Sequence, residues 1–296
     1  MNLNNSFNTS DYPGLYQTAD KASVESQNNY MLGIGLYLSL LIAASVCSLF
    51  LGDSTSLAII AALIFVATLF ISILLLIKRY DKAWYNGRAV AESVKTITWR
   101  YMMHAEPYQN PNDSEARVVF VNDLRQILEQ NREFDQIFTG DTATTEAISK
   151  KMIEIRALEL ADRQKVYIND RIDDQRAWYY RKARFNKKKG FLWFVLMCVV
   201  QAGALILVLV RIAKPTWNIY LPIDLCIVCA CVALTWTQTK RFQDLSTAYS
   251  LATHEISLIR EACNAAPNEK ELSNFINDAE NAFSREHTQW QARRHT

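Results

Sequence analysis

Glycine and proline are scarce in this chain, with 8 and 6 copies in 296 residues, and histidine occurs only 4 times. So few turn formers leave few places for tight reversals. No stretch alternates apolar and polar residues for long enough to read as a membrane β-strand, so a sheet protein and a β-barrel are both disfavoured. Charge is missing where its absence says most. Met31–Leu51 and Leu57–Ile77 contain no Asp, Glu, Lys or Arg, and only Gly52-Asp53-Ser54-Thr55-Ser56 separates them. An apolar helix of about 20 residues spans the hydrocarbon core of a bilayer. A second such hairpin runs Phe191–Val210, crosses Arg211–Ile219 and returns over Tyr220–Thr235.

What is present between and around these runs is charged and helix-forming. The pattern predicts an all-α membrane protein: two transmembrane helical hairpins, four spanning helices in all, extended by a cytosolic helical bundle. The expected organisation is an N-terminal segment over 1–30, a first hairpin over 31–77, a sensor region over 78–190, a second hairpin over 191–237 and a helical tail over 238–296. Met1–Tyr30 is too polar for a cleaved signal peptide.

Candidate chemistry is thin. His104, His254, His287 and His295 are scattered, and no Ser-His-Asp set, metal cluster or phosphate-cradling loop appears. The expectation is a protein that is not an enzyme, with no cofactor and no bound metal. Cys226, Cys229 and Cys231 have metal-like spacing but lie in an apolar run beside no His or Glu, with only Asp224 near, so they read as small packing residues. A transporter would want broken helices and polar residues at the midplane.

Basic residues flank the ends of the apolar runs unevenly. Lys78, Arg79, Lys82 and Arg88 follow the second run, Arg181 to Lys189 precede the third, and Lys240 and Arg241 follow the fourth. The first hairpin tip holds only Asp53; the second dissents mildly with Arg211 and Lys214. The positive-inside rule then puts both tips outside, and both termini and the middle in the cytoplasm. Gly33, Gly35, Ala43, Ala44, Ala58, Ala61 and Ala62 suit close helix packing, within one chain or between copies. Two polar residues enter the membrane runs. Gln201 falls mid-segment. Asp224 follows Pro222 as either an interfacial helix-start acid or part of a carboxylate ring at a pore mouth.

The middle, 78–190, holds 22 Lys and Arg against 17 Asp and Glu. It reads as a helix continuing from the second span to about Met103, a proline-marked loop, a helix capped by Ser114 and reaching about Phe134, and a break at Phe138–Asp141. Thr145–Lys189 then has no Gly or Pro and is expected to run as one helix into the third span. On it Arg163, Tyr167, Arg171, Gln175 and Trp178 form a stripe, with Arg156 close to the same line; Trp84, Arg88, Lys95 and Trp99 share a face on the earlier helix. Guanidinium groups grip phosphates and aromatic rings stack on bases, so these residues could bind an anionic ligand. Equally, the arginines could pair with neighbouring acids such as Glu92, Glu159 or Asp174. In the tail, Leu272, Phe275, Ile276, Ala279 and Phe283 mark one face of a further helix. The halves echo each other: Lys78-Arg79-Tyr80 and Lys240-Arg241-Phe242 leave the two hairpins, and Glu92 and Glu255 follow at similar distances.

Arg163-x-x-x-Tyr167-x-x-x-Arg171-x-x-x-Gln175-x-x-Trp178-Tyr179, followed by a hairpin, resembles the SLATT family, the SMODS- and SLOG-associating two-transmembrane effectors. Leu15-Tyr16-x-x-Ala19-Asp20 before the first hairpin, and Trp84-Tyr85-x-x-Arg88-x-x-x-Glu92 after it, resemble a second copy of the unit. The residues after Cys263 add nothing to the likeness. The tandem form is similar to the effectors of Hailong-type antiphage systems. The resemblance implies a homo-oligomeric pore, a tetramer being one arrangement, in the inner membrane of a bacterium. Its signal would be a nucleotide or oligodeoxynucleotide made by a companion nucleotidyltransferase, and its effect depolarisation and abortive infection. The candidate ligand-binding residues are Arg88, Lys95, Trp99, Arg156, Arg163, Tyr167, Arg171 and Gln175, with Gln201 and Asp224 at the pore. The competing expectation is a membrane-anchored helical scaffold for a protein partner.

Overall fold

The computed structural model describes residues 6–52, 54–110, 112–131, 146–216, 221–264 and 268–292. They are almost entirely helical. After a 3-10 turn at Thr9–Asp11 come α1 (Gly14–Leu49), α2 (Thr55–Lys78), α3 (Tyr80–Met102) and α4 (Asp113–Gln130). Then follow α5 (Lys150–Arg156), α6 (Leu160–Val166), a π-helical stretch (Tyr167–Asp173), α7 (Asp174–Ala213), α8 (Ile223–Lys240), α9 (Phe242–Asn264) and α10 (Glu269–Ala292). The break expected at Phe138–Asp141 and the second hairpin's Trp217–Tyr220 lie outside the described residues. Four helical runs are long and apolar enough to cross a membrane: Gly14–Leu49, Thr55–Met102, Leu160–Ala213 and Ile223–Cys263. The protein is an all-α, multi-pass membrane protein.

The chain divides into two compact units. One holds Met1–Gln27, Tyr80–Tyr180 and Ser250–Thr296; the other holds Asn28–Arg79 and Arg181–Tyr249. We call them the polar unit and the apolar unit. In the apolar unit, Leu63, Phe70, Leu76, Phe191, Leu205 and Ile206 are exposed, which is tolerable only where lipid replaces water. Hydroxyls satisfy themselves within their own helix: the buried Thr68 Oγ1 donates to the Phe65 carbonyl at 2.8 Å and Ser72 Oγ to that of Thr68 at 2.9 Å. Small residues permit close approach, as expected. A Cβ on Gly33 would fall 2.7 Å from Leu75 Cδ2, and one on Gly35 would touch Trp236.

The second helix of each hairpin ends in a single left-handed residue. Arg79 (φ 45°, ψ 44°) ends α2 and Arg241 (φ 50°, ψ 42°) ends α8. Each amide still donates back into the helix, Arg79 to the Leu75 carbonyl and Arg241 to that of Thr237. For a residue with a Cβ this conformation costs roughly 1–2 kcal/mol. It corrects the expectation that the second span runs unbroken into the polar helices: the left-handed Arg79 separates α2 from α3. The third span does continue, in one helical run from Leu160 to Ala213.

The helix expected over Thr145–Lys189 is interrupted, although it contains neither Gly nor Pro. Glu159 is extended (ψ 154°), so α5 stops and α6 begins afresh. Tertiary contacts override helix propensity here. Arg163 Nη1 takes the Leu158 carbonyl at 3.0 Å, while the Arg156 guanidinium, at the end of α5, is drawn into a separate set of partners. The cap of α4 is Asn112 rather than Ser114: Asn112 Oδ1 accepts from the Ser114 amide at 3.2 Å.

The polar unit is built around Trp99, Met102, Met103, Tyr108, Phe120, Met152, Tyr167, Ile172 and Ile256, all buried. The tail is integral to it. Leu272, Ile276, Ala279 and Phe283 of α10 are buried, and the helix packs along α3. Burying one large apolar side chain stabilises by about 1.5–3 kcal/mol, so this stripe alone fixes α10 firmly.

Candidate functional site

The arginine stripe forms as the spacing predicts, but it faces inward. Arg171 is almost completely buried and makes a two-pronged pair with Glu280 of α10: Nε to Oε1 at 2.8 Å and Nη2 to Oε2 at 2.7 Å. Tyr167 OH donates to the same carboxylate at 2.9 Å, and the Phe283 ring covers the guanidinium at 4.7 Å. Burial opposes the Arg171 charge, yet Glu280 outweighs it and holds the guanidinium protonated. Burial likewise pushes the Tyr167 phenol well up, so it stays neutral.

The other two ladder arginines are also committed. Arg163 pairs with Glu269 of α10. Arg156 pairs with Asp113 at 2.9 Å, donates to the carbonyls of Tyr101 and Tyr108, and stacks on the Tyr101 ring at 4.6 Å. On α3, Arg88 is half-buried between Glu92 at 2.6 Å and Asp20 at 3.5 Å. Trp99 is buried, its Nε1 donating to Tyr12 OH at 2.8 Å. Thus the expected Arg156, Arg163 and Arg171 contacts are filled by this chain's own carboxylates and carbonyls, and Trp99 presents no open face for stacking. The acids that take Arg163 and Arg171 are not the neighbours the sequence suggested; they come from about 110 residues away on α10, spaced three turns apart. One signal could have found Glu280: it lies within the apolar stripe, between Ile276 and Phe283, where an acid demands a buried cation.

Lys95 is different. Its one hydrogen-bond partner among the described residues is the Gln175 amide oxygen at 3.3 Å, which also accepts from Arg171 Nη1 at 3.3 Å. Burial pushes the Lys95 ammonium down to about 8, with Glu92 pulling the other way and Arg171 adding to the depression. Lys95, Arg171 and Gln175 border a cavity of about 480 Å³ that lies within the polar unit. Its other walls are Ser6–Thr9, Tyr12, Tyr16, Asn169, Asp170 and Asp174. Three candidate ligand-binding residues are therefore brought together there; Arg88, Trp99, Arg156, Arg163 and Tyr167 do not line it. The sequence could not show the cavity, because the N-terminal wall and the π-helical wall meet only in the fold. Phe7 donates its amide to Asp170 Oδ2 at 2.9 Å and packs its ring edge-on to Trp99 at 5.3 Å. Tyr12 and Tyr16 stack at 4.3 Å, and burial raises both phenols, so both walls are neutral hydrogen-bonding groups.

In the apolar unit, Asp224 is exposed in the first turn of α8, where a carboxylate favours the helix dipole, and Gln201 is exposed midway along the apolar part of α7. All six cysteines are free, and no group of residues among those described could hold a metal ion.

Two family models match the chain end to end. Residues 13–164 match SMODS and SLOG-associating 2TM effector domain 3, and residues 167–290 match SMODS and SLOG-associating 2TM effector domain 1. The second match takes in α10, which corrects the expectation that the residues after Cys263 lie outside the likeness. No curated protein and no solved structure matches the chain. With one two-helix hairpin in each matched half and the ladder residues running into the second, the chain belongs to the SMODS- and SLOG-associating two-transmembrane effector family, as a tandem membrane effector.

Proposed function

We propose that this effector is a homo-oligomeric, non-enzymatic pore in a bacterial inner membrane, with both termini cytoplasmic. It acts in antiphage defence, gated by an anionic nucleotide or oligonucleotide that binds the polar unit. The observation that carries the reading is the helical run Leu160–Ala213. One end of it, Asn169–Gln175, walls the polar cavity, and the other is the third apolar span. A ligand that binds differently to two rotational states of this helix biases the span directly. Gln201 and Asp224, exposed on a single chain, would face the axis of an assembly, with Asp224 ringing the outer mouth.

The test is ion flux from liposomes carrying the full-length protein, with and without short oligonucleotides. The expected result is flux that changes severalfold on adding the signal. No flux under any condition would remove the pore. Asp224→Asn should then lower cation preference without altering the response to signal.

A second reading, a membrane-anchored scaffold, is favoured by one observation: Arg156, Arg163 and Arg171 are all engaged internally. Salt dependence separates the two, because phosphate binding weakens steeply with ionic strength.

A further inference from the structure

We propose that one face of α7, at the start of the second hairpin, is a binding site for an anionic phospholipid. The lipid phosphate sits on Arg181 and Lys188, and an acyl chain lies along Leu192, Val195 and Val199. The site uses the apolar unit alone, so it holds whether or not the effector conducts ions or answers a signal.

The charge of this flank is one-sided. Six cations and no carboxylate fall within residues 181–189, directly before Phe191–Val210, which carries no charge. The flank after α2 is milder, because Asp81 stands among Lys78, Arg79 and Lys82. Among the described residues, no carboxylate lies within ion-pair distance of Arg181, Lys187, Lys188 or Lys189. A basic cluster of this size beside a span attracts anionic headgroups.

Packing decides which face of α7 is open. Ala183 and Asn186 are buried, Ser246 Oγ of α9 donates to the Ala183 carbonyl at 3.2 Å, and a Cβ on Gly190 would fall 3.2 Å from Phe242 Cβ. Residues 183, 186 and 190 thus turn one face of the helix to α9. The opposite face reads Arg181, Phe185, Lys188, Leu192, Val195 and Val199, all exposed. Lys189 flanks it, its ammonium 5.8 Å from the centre of the Phe185 ring. Cations therefore give way to apolar side chains along a single line. From Lys188 to Val199 the helix rises about 16 Å, close to the hydrocarbon depth of one leaflet, about 15 Å.

That profile selects the occupant. A free phosphate or a nucleotide would engage the cations and leave the apolar part of the line uncovered. A second copy of this chain, lying parallel in the membrane, would set its own Arg181 and Lys188 against these. A lipid with a net negative head satisfies both parts at once.

The experiment titrates delipidated full-length protein in detergent with phosphatidylglycerol, phosphatidylcholine, glycerol 3-phosphate or a short oligodeoxynucleotide. Native mass spectrometry counts the bound molecules and reads the oligomeric mass. Phosphatidylglycerol should bind more tightly than phosphatidylcholine. One cation near a membrane surface strengthens the hold on an anionic head about fivefold, so Arg181→Gln with Lys188→Gln should weaken phosphatidylglycerol about 25-fold. Arg181→Lys with Lys188→Arg keeps both charges and should retain binding. All four substitutions fall on exposed positions, so thermal unfolding should be unchanged in either pair. Equal affinity for phosphatidylcholine overturns the proposal, as does undiminished phosphatidylglycerol binding by the glutamine pair. Displacement of phosphatidylglycerol by glycerol 3-phosphate or the oligonucleotide at equal concentration makes the face a free-anion site and also overturns it. A changed oligomeric mass in the glutamine pair, with lipid binding unaltered, puts a second copy there instead. Flux tests the pore separately and is not decided by any of these results.

Discussion

The two halves of this chain leave the membrane in the same way and then diverge. Arg79 and Arg241 are equivalent left-handed helix caps, each in a Lys-Arg-aromatic sequence. Beyond them, α3 carries Glu92, Lys95 and Trp99 into the polar unit, with Trp99 fully buried. At matching distances from Glu255, α9 carries Leu258 and Ala262, both exposed. The two halves thus share an exit geometry, while Lys95 and Trp99 of α3 have no counterpart at the matching positions of α9. The second half contributes instead through the π-helical stretch and α10, whose Arg171 and Glu280 form the buried ion pair.

The sharpest way to break this division is at that pair. Glu280→Ala leaves Arg171 buried and unpaired and should destabilise the polar unit by about 3–5 kcal/mol, read by denaturant unfolding. Glu92→Ala, at the half-exposed Arg88 pair of the first copy, should cost no more than about 1 kcal/mol. Equal effects would show that the halves do not differ in where they keep their charge.

Next in size is the contact between α1 and α3. A Cβ on Gly87 would lie 2.9 Å from the Ala19 carbonyl oxygen and 3.1 Å from the Ser23 amide, both backbone atoms. Gly87→Ala should therefore cost about 1–3 kcal/mol. Gly190→Ala, which meets Phe242 Cβ at 3.2 Å, should cost less. Thermal unfolding in detergent ranks the two.

A smaller effect is set by pH. Unfolded lysine keeps its proton to about pH 10.4. Folded Lys95 releases it near 8 because burial disfavours the charge. Between those values the unfolded chain binds more protons, so stability should rise with pH from about 8 to 9.5. Lys95→Met should flatten that rise; an unchanged slope would assign it to another group.

The smallest effect tests the equivalence itself. Arg79→Gly and Arg241→Gly remove a Cβ from left-handed backbone, and each should stabilise by about 1 kcal/mol or less. Arg241 should gain slightly less, because its exposed pair with Asp244 is lost. Opposite signs in the melting temperatures would refute a shared cap.

The spans were legible because a bilayer demands a long uncharged run, which neighbouring residues alone can satisfy. The Arg163–Gln175 stripe was legible for the same reason: helical periodicity is local. Its orientation was not. The acids that claim Arg163 and Arg171 lie on α10, and a charged stripe looks the same whether it faces phosphate or carboxylate. The interruption at Glu159 was hidden because it arises from hydrogen bonds rather than a helix-breaking residue. The cavity was hidden because Ser6–Thr9 and Asn169–Gln175 are distant in sequence.

The π-helical stretch Tyr167–Asp173 begins where the second family match begins, with two residues between it and the end of the first. A π turn accommodates one more residue than an α turn within an otherwise continuous helix. Two hairpin domains joined head to tail share a reading frame but need not share a helical phase. A single surplus codon at the seam could be stored as a wider turn while everything downstream kept its facing. On that account the junction between the two matched halves lies in the wall of a cavity that Lys95 of the first half also borders.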